Sequence, residues 1–188
     1  MPLQLAENLP NRMAAFSKEG RATPLISVLI RSINRPQLTD ALRSVIAQTY
    51  RPLEVVVAGA CTEPFALPDI GISDVSMRFV SRGQALGLSA AANFALDEAH
   101  GEFLIFLDDD DYFLPTHIEG LFTALSVDTE AVLAYSGIRM ENSAGKFIGF
   151  LKQPSRYSRL SLHESNFIQI SAALFSKRLI SHAGCRFD

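Results

Sequence analysis

The sequence predicts an α/β domain in which helices cover both faces of a mostly parallel sheet and a small antiparallel portion follows. The first observation is that, up to about residue 125, short apolar runs alternate with segments whose apolar residues recur at the spacing of a helix. The second is that two strand-like runs flank a polar turn after residue 130. Alternating strands and helices are typical of parallel sheets, and near-continuous apolar strands are typical of sheets covered on both faces.

Four apolar runs predict the parallel strands. Most are rich in β-branched or aromatic residues, and none has the spacing of an amphipathic helix. In chain order they are residues 25–30, 53–58, 76–81 and 102–107.

Three segments predict the helices of this part of the chain. Pro36 begins the first, which ends before Pro52. The second is the alanine-rich segment 87–99, and we expect Gly101 to close it as the C′ residue. The third covers residues 115–125, where apolar residues again recur at helical spacing.

The last part of the chain predicts the antiparallel portion. Residues 131–140 and 146–151 flank the turn 141–145, a pattern that is typical of a hairpin. The remaining predicted elements are a polar loop or short helix at 153–166, a strand at 167–175 and a short helix at 176–183.

Composition indicates one globular domain, residues 24–188, preceded by a polar N-terminal extension, residues 1–23. A net charge of −3 argues against nucleic acid as a partner. The two cysteines, Cys61 and Cys185, lack metal-ligand spacing, and we expect them to be buried thiols of a cytoplasmic protein. We expect neither a signal peptide nor a transmembrane segment.

An acidic cluster, Asp108–Asp111, directly follows the fourth apolar strand. If the backbone stays extended there, Asp108 and Asp110 point one way and Asp109 and Asp111 the other. Carboxylates this close repel one another unless a cation lies among them, and Mg²⁺ and Mn²⁺ prefer such oxygen ligands. The alternative is an acidic turn in front of the third helix.

The cluster lies where a ligand is expected in this class of fold. In open α/β sheets ligands bind at the carboxyl ends of the strands, so the loops that follow the strands should converge on one crevice. These loops are residues 31–35, 59–63, 82–89 and 108–112.

Four segments resemble family 2 glycosyltransferases, in the order and spacing of that family. Residues 105–115, IFLDDDDYFLP, resemble its D-x-D region, and residues 26–36, ISVLIRSINRP, resemble its first strand and loop. Residues 41–50, ALRSVIAQTY, and residues 87–93, GLSAAAN, resemble two further elements of the family. The resemblance extends over about residues 24–188. It implies the GT-A fold and the transfer of a sugar, with inversion, from a nucleotide-diphosphate donor to an acceptor.

The resemblance also implies roles for the residues of the crevice. Asp108 and Asp110 would form the D-x-D pair of a Mn²⁺ or Mg²⁺ site. Asp110 would hold the metal against the donor phosphates, and Asp108 or Asp109 would reach the ribose or, through water, the metal. A divalent ion there would stabilise the charge on the leaving nucleoside diphosphate. The expected nucleotide-sugar-binding residues are Arg31, Ser32, Ile33, Asn34, Gly59, Gly87, Ser89, Asn93, Asp108 and Asp109.

The sequence departs from the family at the position expected to read the base. The family usually has D-D-G-S after the second strand, whereas this chain has Gly59-Ala60-Cys61-Thr62, and Glu63 is the nearest carboxylate. A UDP-sugar remains the first expectation for the donor, although another base is an alternative. Arg31 replaces the usual proline, either as a cation near phosphate or acceptor or as a solvated arginine at a strand end.

The residues on the acceptor side are less well defined by the sequence. We expect the general base beyond Asp188, because the family's E-D motif follows the stretch that residues 171–188 resemble; Asp188 itself is a weaker candidate. His163 and Glu164 are candidates for contacts with the acceptor, with a plain surface loop as the alternative. His117 follows the acidic cluster; we expect it at the surface, and a position facing the site is the alternative.

We therefore predict a metal-dependent glycosyltransferase of polysaccharide biosynthesis at the cell envelope, with a glycan or lipid-linked acceptor. The alternative is a catalytically incomplete sugar-nucleotide-binding or interaction module. A nucleotidyltransferase is disfavoured, because no glycine-rich loop with a lysine follows the first strand. The sequence does not assign the oligomeric state, and it leaves open an association with the cytoplasmic face of the membrane.

Overall fold

A computed structural model describes residues 22–71, 73–128, 130–152 and 168–188. A short 3₁₀ turn at Ile170–Ala172 precedes the last strand. In chain order the helices and strands are β1 (Ile26–Ser32), α1 (Leu38–Ile46), β2 (Leu53–Gly59), β3 (Ser76–Ser81), α2 (Leu88–Glu98), β4 (Phe103–Asp108), α3 (His117–Leu125), β5 (Leu133–Tyr135), β6 (Ile138–Glu141), β7 (Phe147–Leu151), β8 (Ala173–Ser176) and α4 (Arg178–Ser181).

Six of the strands form one mixed sheet in the order β3-β2-β1-β4-β8-β5. The first four are parallel, and β8 runs antiparallel to both of its neighbours. Strands β6 and β7 form a separate antiparallel hairpin. The predicted α/β class, with a mostly parallel sheet and a small antiparallel portion, is confirmed.

Apolar side chains alternate between the two faces of the sheet and build a core on each. On one face Val28, Ile105 and Leu107 pack with the buried sides of α1 and α3. On the other, Leu29 and Phe106 pack with the alanine-rich side of α2. Helices thus cover both faces, which is why β1, β2 and β4 are almost uniformly apolar.

Three predicted elements differ from the structure. Helix α1 begins at Leu38 instead of Pro36, because Pro36 and Gln37 form a turn before it. The predicted strand 131–140 is two strands, β5 in the main sheet and β6 in the hairpin, which Ser136 and Gly137 separate. The strand predicted at 167–175 is shorter, because the 3₁₀ turn precedes β8.

Other predictions lie outside the described residues or are wrong in detail. Most of the extension 1–23 and the loop 153–166 lie outside the described residues, so they stay predictions. Cys61 is partly exposed and Cys185 exposed, so neither is the buried thiol that we expected. Within the described part of the chain, no helix combines the length and apolar character needed to cross a bilayer.

The amino edge of the sheet is held by a buried carboxylate. Glu54 on β2 accepts hydrogen bonds from the Ser27 hydroxyl and from the backbone N–H of His100, both at 2.6 Å. Burial alone would raise the pKa of Glu54, but the hydrogen bonds from Ser27 and His100, followed by the imidazole charge, lower it below its ordinary value. Glu54 therefore joins β1, β2 and the loop before β4 as a carboxylate.

Gly101 closes this network, although not as the C′ residue that we predicted. Its φ is not positive, and α2 already ends at Glu98. A Cβ on Gly101 would instead lie 2.6 Å from the Ser27 hydroxyl oxygen and 2.8 Å from the carbonyl oxygen of Leu25. Glycine is required there because the loop packs directly against the backbone of β1.

We expect Glu54→Gln to lower the free energy of unfolding at pH 7 by about 1–3 kcal/mol, because the variant weakens hydrogen bonds from buried donors. The folded pKa lies below the unfolded one, so this contribution is complete above about pH 4.3 and is lost as pH falls toward the folded pKa. Urea unfolding from pH 7 to pH 3.5 measures both effects. The exposed Glu130→Gln is the matched control, and equal stability of the two variants would contradict the role of Glu54.

Candidate functional site

The loops predicted to share a crevice lie next to one another at the carboxyl edge of the sheet. The backbone N–H of Ala60 donates to the carbonyl oxygen of Ser32 at 2.8 Å, which joins the loops after β1 and β2. The N–H of Leu86 donates to the carbonyl oxygen of Ala60 at 3.0 Å, which adds the loop before α2. The acidic loop, which we define as Asp108–Asp111, contacts the loop after β1 through the ion pairs described next.

The acidic loop does not continue the extended backbone of β4. The N–H of Asp111 donates to the carbonyl oxygen of Asp108 at 3.0 Å, and Asp109 and Asp110 form a turn. The predicted alternation of the four carboxylates between two faces is therefore wrong. Each carboxylate instead has its own set of partners.

Asp108 is paired with Arg31. The two residues are opposite each other in the parallel register of β1 and β4, so their side chains share a face of the sheet. A guanidinium nitrogen of Arg31 donates to Asp108 Oδ1. The carbon of the same guanidinium lies 5.8 Å from the ring centre of Phe106, within cation–π range. Arg31 is therefore a largely buried counter-ion, not a solvated arginine at a strand end.

Asp109 is the buried member of the loop and holds the segment after β1. It accepts hydrogen bonds from the Ser32 hydroxyl at 2.7 Å and from the backbone N–H of Ile33 at 3.4 Å. Arg35 bridges Asp109 and Asp110, with nitrogen–oxygen distances of 3.2 and 2.6 Å. Asp110 is half exposed, so solvent reaches its side chain.

Helix α1 fixes the segment that follows the acidic loop. The Ser44 hydroxyl accepts a hydrogen bond from the backbone N–H of Phe113 at 3.0 Å. The buried amide of Gln48 donates to the carbonyl oxygen of Leu114 and accepts from the N–H of Ile118. The loop is thus held at both ends, by β1 and by α1.

The other predicted donor-binding residues occupy different environments. Ile33 and Asn34 are exposed at the crevice, and Asn34 has a positive φ of 68°. Gly59 is buried, and a Cβ there would lie 2.7 Å from the Phe79 ring, so packing requires this glycine. Both polar atoms of the Asn93 amide are hydrogen-bonded to the backbone of Phe187.

The remaining two, Gly87 and Ser89, lie at the start of α2. Gly87 is its N-cap, and the helix has no acidic residue in its first turn. Backbone N–H groups at such a terminus favour a negatively charged group.

A cavity of about 420 Å³ lies on the other side of the acidic loop. Its polar lining includes Asp110, Asp111, His117, Arg139, Glu141 and Ser171, contributed by the acidic loop, α3, the β6–β7 hairpin and the 3₁₀ turn. Partial burial raises the pKa of Asp111, and the nearby negative charges of Asp108 and Asp110 raise it further. The candidates His163 and Glu164 lie outside the described residues, so the structure does not relate them to this cavity.

His117 lines this cavity, which agrees with the alternative from the sequence and not with the surface position that we expected first. Its ring lies 4.8 Å from that of Phe113, and Nε2 lies 3.3 Å from the carbonyl oxygen of Ser171. Burial lowers the pKa of His117, and the contact with Ser171 offsets part of this effect. A neutral imidazole is therefore favoured at neutral pH.

The acidic loop fits a divalent cation that is held in part by a substrate. Asp108 and Asp110 present hard carboxylate oxygens, and their charges are close enough to raise the pKa of Asp111. No cluster of three or more acidic, histidine or cysteine side chains suited to a metal is found within the described ranges. One or two carboxylates plus phosphate oxygens are the usual ligands of Mg²⁺ in such sites.

Sequence reasoning missed Arg35 and the position of Asp111 in the cavity, and for His117 it ranked the surface above the site. A cation was expected near the acidic residues on electrostatic grounds, and Arg35 lies within the loop 31–35 that we placed at the crevice. The position of Arg35 in that loop is the signal from which its contact with the acidic loop could have been predicted. The contacts of Asp111 and His117 with Ser171 join residues more than 50 positions apart, and no local pattern indicates them.

Fold and site together define an α/β domain in which the acidic loop follows the fourth strand of a mostly parallel sheet. The model of the family described as glycosyl transferase family 2 matches residues 27–182. This chain belongs to that family, which confirms the resemblance found in the sequence.

Similar proteins are themselves described as glycosyltransferases. An uncharacterized glycosyltransferase of Rickettsia typhi is 28% identical over 156 residues, which are 80% of this chain and 48% of the relative. The uncharacterized glycosyltransferase YwdF of Bacillus subtilis is 32% identical over 95 residues, or 50% of this chain and 35% of YwdF. The chain thus spans about half the length, or less, of these relatives.

Two solved structures share the fold. The mannosyltransferase PcManGT of Pyrobaculum calidifontis, in complex with GDP-Man and Mn²⁺, aligns with 95% of this chain and 55% of its own, with a TM-score of 0.60 and 15% identity. TarS of S. aureus, residues 1–349 with UDP-GlcNAc, aligns with 87% of this chain and 48% of its own, with a TM-score of 0.59 and 17% identity. The predicted GT-A-like fold is confirmed.

We expect Asp109→Ala to lower the free energy of unfolding by about 1–3 kcal/mol, because it leaves the buried Ser32 hydroxyl and its neighbours without their acceptor. Asp110→Ala is the matched control, and removal of its exposed ion pair should cost less than about 1 kcal/mol. Urea unfolding of both variants measures the difference. A cost for Asp110→Ala equal to that for Asp109→Ala would contradict the structural role of Asp109.

We expect His117→Gln to reduce the loss of stability of the protein in mild acid. The folded pKa of His117 lies below the unfolded value of about 6.5, so its contribution is complete above that pH and is lost as pH falls toward the folded pKa. Urea unfolding at pH 7.5 and pH 5.5 measures the change for both proteins. His182→Gln, an exposed position, is the control. The same pH dependence in wild type and His117→Gln would show that burial of His117 has no energetic effect.

Proposed function

We propose that this chain carries the donor site of an inverting, metal-dependent glycosyltransferase that takes a sugar from a nucleotide-diphosphate donor. The observation that carries the proposal is the acidic loop in a family 2 chain. Its carboxylate Asp110 is half exposed at the crevice into which the loops after β1 and β2 open. The PcManGT complex with GDP-Man and Mn²⁺ and the TarS complex with UDP-GlcNAc support this assignment through the shared fold.

On the donor side, Asp110 and Asp108 would hold Mn²⁺ or Mg²⁺, and the loop 31–35 would hold the nucleoside. The bound cation would supply stabilisation of the charge on the leaving diphosphate. Ile33 offers an exposed apolar side chain to a base, and the start of α2, at Gly87 and Ser89, offers backbone N–H groups to a negatively charged group.

The base that this site prefers is a separate question. UDP is the first expectation. GDP is the alternative, because Gly59-Ala60-Cys61-Thr62 provides no carboxylate that could accept a hydrogen bond from uracil. Buried or oriented polar groups decide such selectivity, since an unmatched polar group costs binding free energy.

On the acceptor side, the cavity behind the acidic loop is the proposed location of the transferred sugar and the acceptor hydroxyl. It borders Asp110 and is lined by charged and polar side chains of the β6–β7 hairpin, Arg139 and Glu141 among them. Such groups suit the hydroxyls of a glycan or of the sugar part of a lipid-linked acceptor. A role in polysaccharide biosynthesis at the cytoplasmic face of the cell envelope is consistent with such an acceptor.

The proposal predicts that one nucleotide stabilises the protein and that this stabilisation depends on the metal. Thermal unfolding would be recorded with UDP, GDP, TDP or CMP, each with Mn²⁺ and with EDTA. A ligand at 100 times its Kd raises the free energy of unfolding by about 2.7 kcal/mol. For a chain of this size, this raises the midpoint of thermal unfolding by on the order of 5–10 °C. Asp110→Ala should abolish the shift, because it removes the carboxylate exposed to the crevice.

The control for this experiment is Asp40→Ala, which removes an exposed carboxylate on α1 and should leave the shift unchanged. A shift with one nucleotide identifies the base. No shift with any nucleotide would contradict the donor site and favour the interaction module instead. A shift of equal size in EDTA would contradict metal dependence alone.

A further inference from the structure

Strand β7 of the hairpin is apolar on both of its faces and is exposed to solvent. Its side chains Phe147, Ile148, Phe150 and Leu151 are between 40% and 62% exposed. Such a composition is typical of a strand that is covered on both faces. Within the described part of the chain, however, β7 pairs with β6 alone. Contiguous exposed apolar side chains mark a surface that meets a partner or a membrane.

Basic side chains lie at both ends of this apolar strand. The exposed Lys146 directly precedes β7, and the exposed Lys152 directly follows it. Residues 138–152 carry three cations and one carboxylate, whereas the whole chain has a net charge of −3. The carboxylate, Glu141, is paired with Arg139 at 2.7 Å, and its side chain is 18% exposed. The surface around β7 is therefore positively charged on a chain that is negatively charged as a whole.

This combination of groups fits an anionic membrane surface better than it fits a protein partner. Lysine is depleted in protein–protein interfaces. At a membrane, a lysine can lay its methylene chain along apolar surface and keep its ammonium group among the headgroups. Basic residues beside an apolar surface are the composition by which peripheral segments bind anionic bilayers.

We propose that the β6–β7 hairpin docks on an anionic phospholipid bilayer, with Ile148 and Phe150 among the lipids and Lys146 and Lys152 at the headgroups. The docking needs neither donor nor metal, so it goes beyond the proposed function. Its consequence rests on that function, because the hairpin lines the cavity proposed for the acceptor, through Arg139 among others. Docking holds this cavity next to the bilayer, where the sugar of a lipid-linked acceptor lies.

Sedimentation of the full chain with lipid vesicles, in EDTA and without nucleotide, tests the proposal. Vesicles of phosphatidylcholine alone are compared with vesicles of phosphatidylcholine and phosphatidylglycerol. We expect binding to the anionic vesicles that weakens as salt is added, because the contribution of the lysines is electrostatic. Absence of binding to the anionic vesicles, or equal binding to both kinds of vesicle, overturns the proposal.

Two double variants separate the apolar contribution from the basic one. Ile148→Ser with Phe150→Ser should weaken binding to anionic vesicles by about tenfold or more, because two apolar side chains no longer enter the lipid. Both residues are 62% exposed, so we expect these substitutions to leave the fold intact. Lys146→Gln with Lys152→Gln should weaken binding by about fivefold for each lysine. Unchanged binding in either double variant overturns the proposal.

Matched controls remove the same kinds of side chain elsewhere on the surface. Val127→Ser replaces an apolar residue after α3 that is 54% exposed, and Arg43→Gln replaces an exposed arginine on α1. Both should bind anionic vesicles as the wild type does. Losses in the controls equal to those in the hairpin variants would contradict a role for the hairpin. Circular dichroism establishes that each variant is folded.

Fluorescence reports insertion directly, because the chain contains no tryptophan. Phe150→Trp and Val127→Trp therefore each carry a single indole. On addition of anionic vesicles, the emission of Phe150→Trp should shift to the blue and be quenched by brominated lipid, whereas that of Val127→Trp should not change. No response of Phe150→Trp overturns the proposal. These variants keep a large apolar side chain, so the test holds even where the serine variants do not fold.

Two further measurements separate the proposal from its neighbours. In sedimentation velocity without vesicles we expect a monomer. Self-association that is lost in Ile148→Ser with Phe150→Ser would assign the hairpin to a second copy of the chain and overturn membrane docking. Nucleotide-dependent thermal stabilisation is recorded without lipid. Its loss with vesicle binding intact contradicts the proposed function alone, and its presence without vesicle binding contradicts this inference alone.

Discussion

The register of β1 against β4 is the constraint on which the candidate site depends. Strand β1 lies between β2 and β4, and its apolar residues are buried on both faces, so its alignment is fixed by packing. A slip of one residue would move every side chain of the strand to the opposite face. In the observed register Arg31 lies opposite Asp108, and Ser32 reaches Asp109. The packing of an apolar strand thus determines which carboxylate Arg31 faces.

The acidic loop combines one structural carboxylate with others that remain available to a ligand. Asp109 is buried and accepts hydrogen bonds from three residues, so it serves the local fold. Asp108 and Asp110 lie on either side of it and are exposed enough to meet a substrate. Arginines from the loop after β1 and from β1 itself offset the repulsion among these charges. The arginines therefore balance the charges of the loop within the fold itself.

The sequence predicted the elements that local patterns define and missed the contacts that join distant residues. Strand β2 was predicted at 53–58 and is observed at Leu53–Gly59, because Pro52 and a continuous apolar run mark it clearly. The break at Ser136 was missed because the residues on both sides remain strand-like. Arg31 and Asp108 are 77 positions apart, and the turn after Asp108 depends on the partners of each aspartate. Glu54 was not singled out, since a lone carboxylate within an apolar strand has no local signature.

The two edges of the sheet differ in how their polar groups are satisfied. At the amino edge Glu54 is buried, accepts hydrogen bonds from Ser27 and His100, and has Gly101 packed against it, so its polar groups are satisfied within the fold. At the carboxyl edge Asp110 is half exposed, and the buried Nε of Arg31 has no partner among the described residues. A half-exposed carboxylate that the fold does not enclose is available to a polar ligand. The contrast between the edges is therefore an argument for the donor site that is independent of family membership.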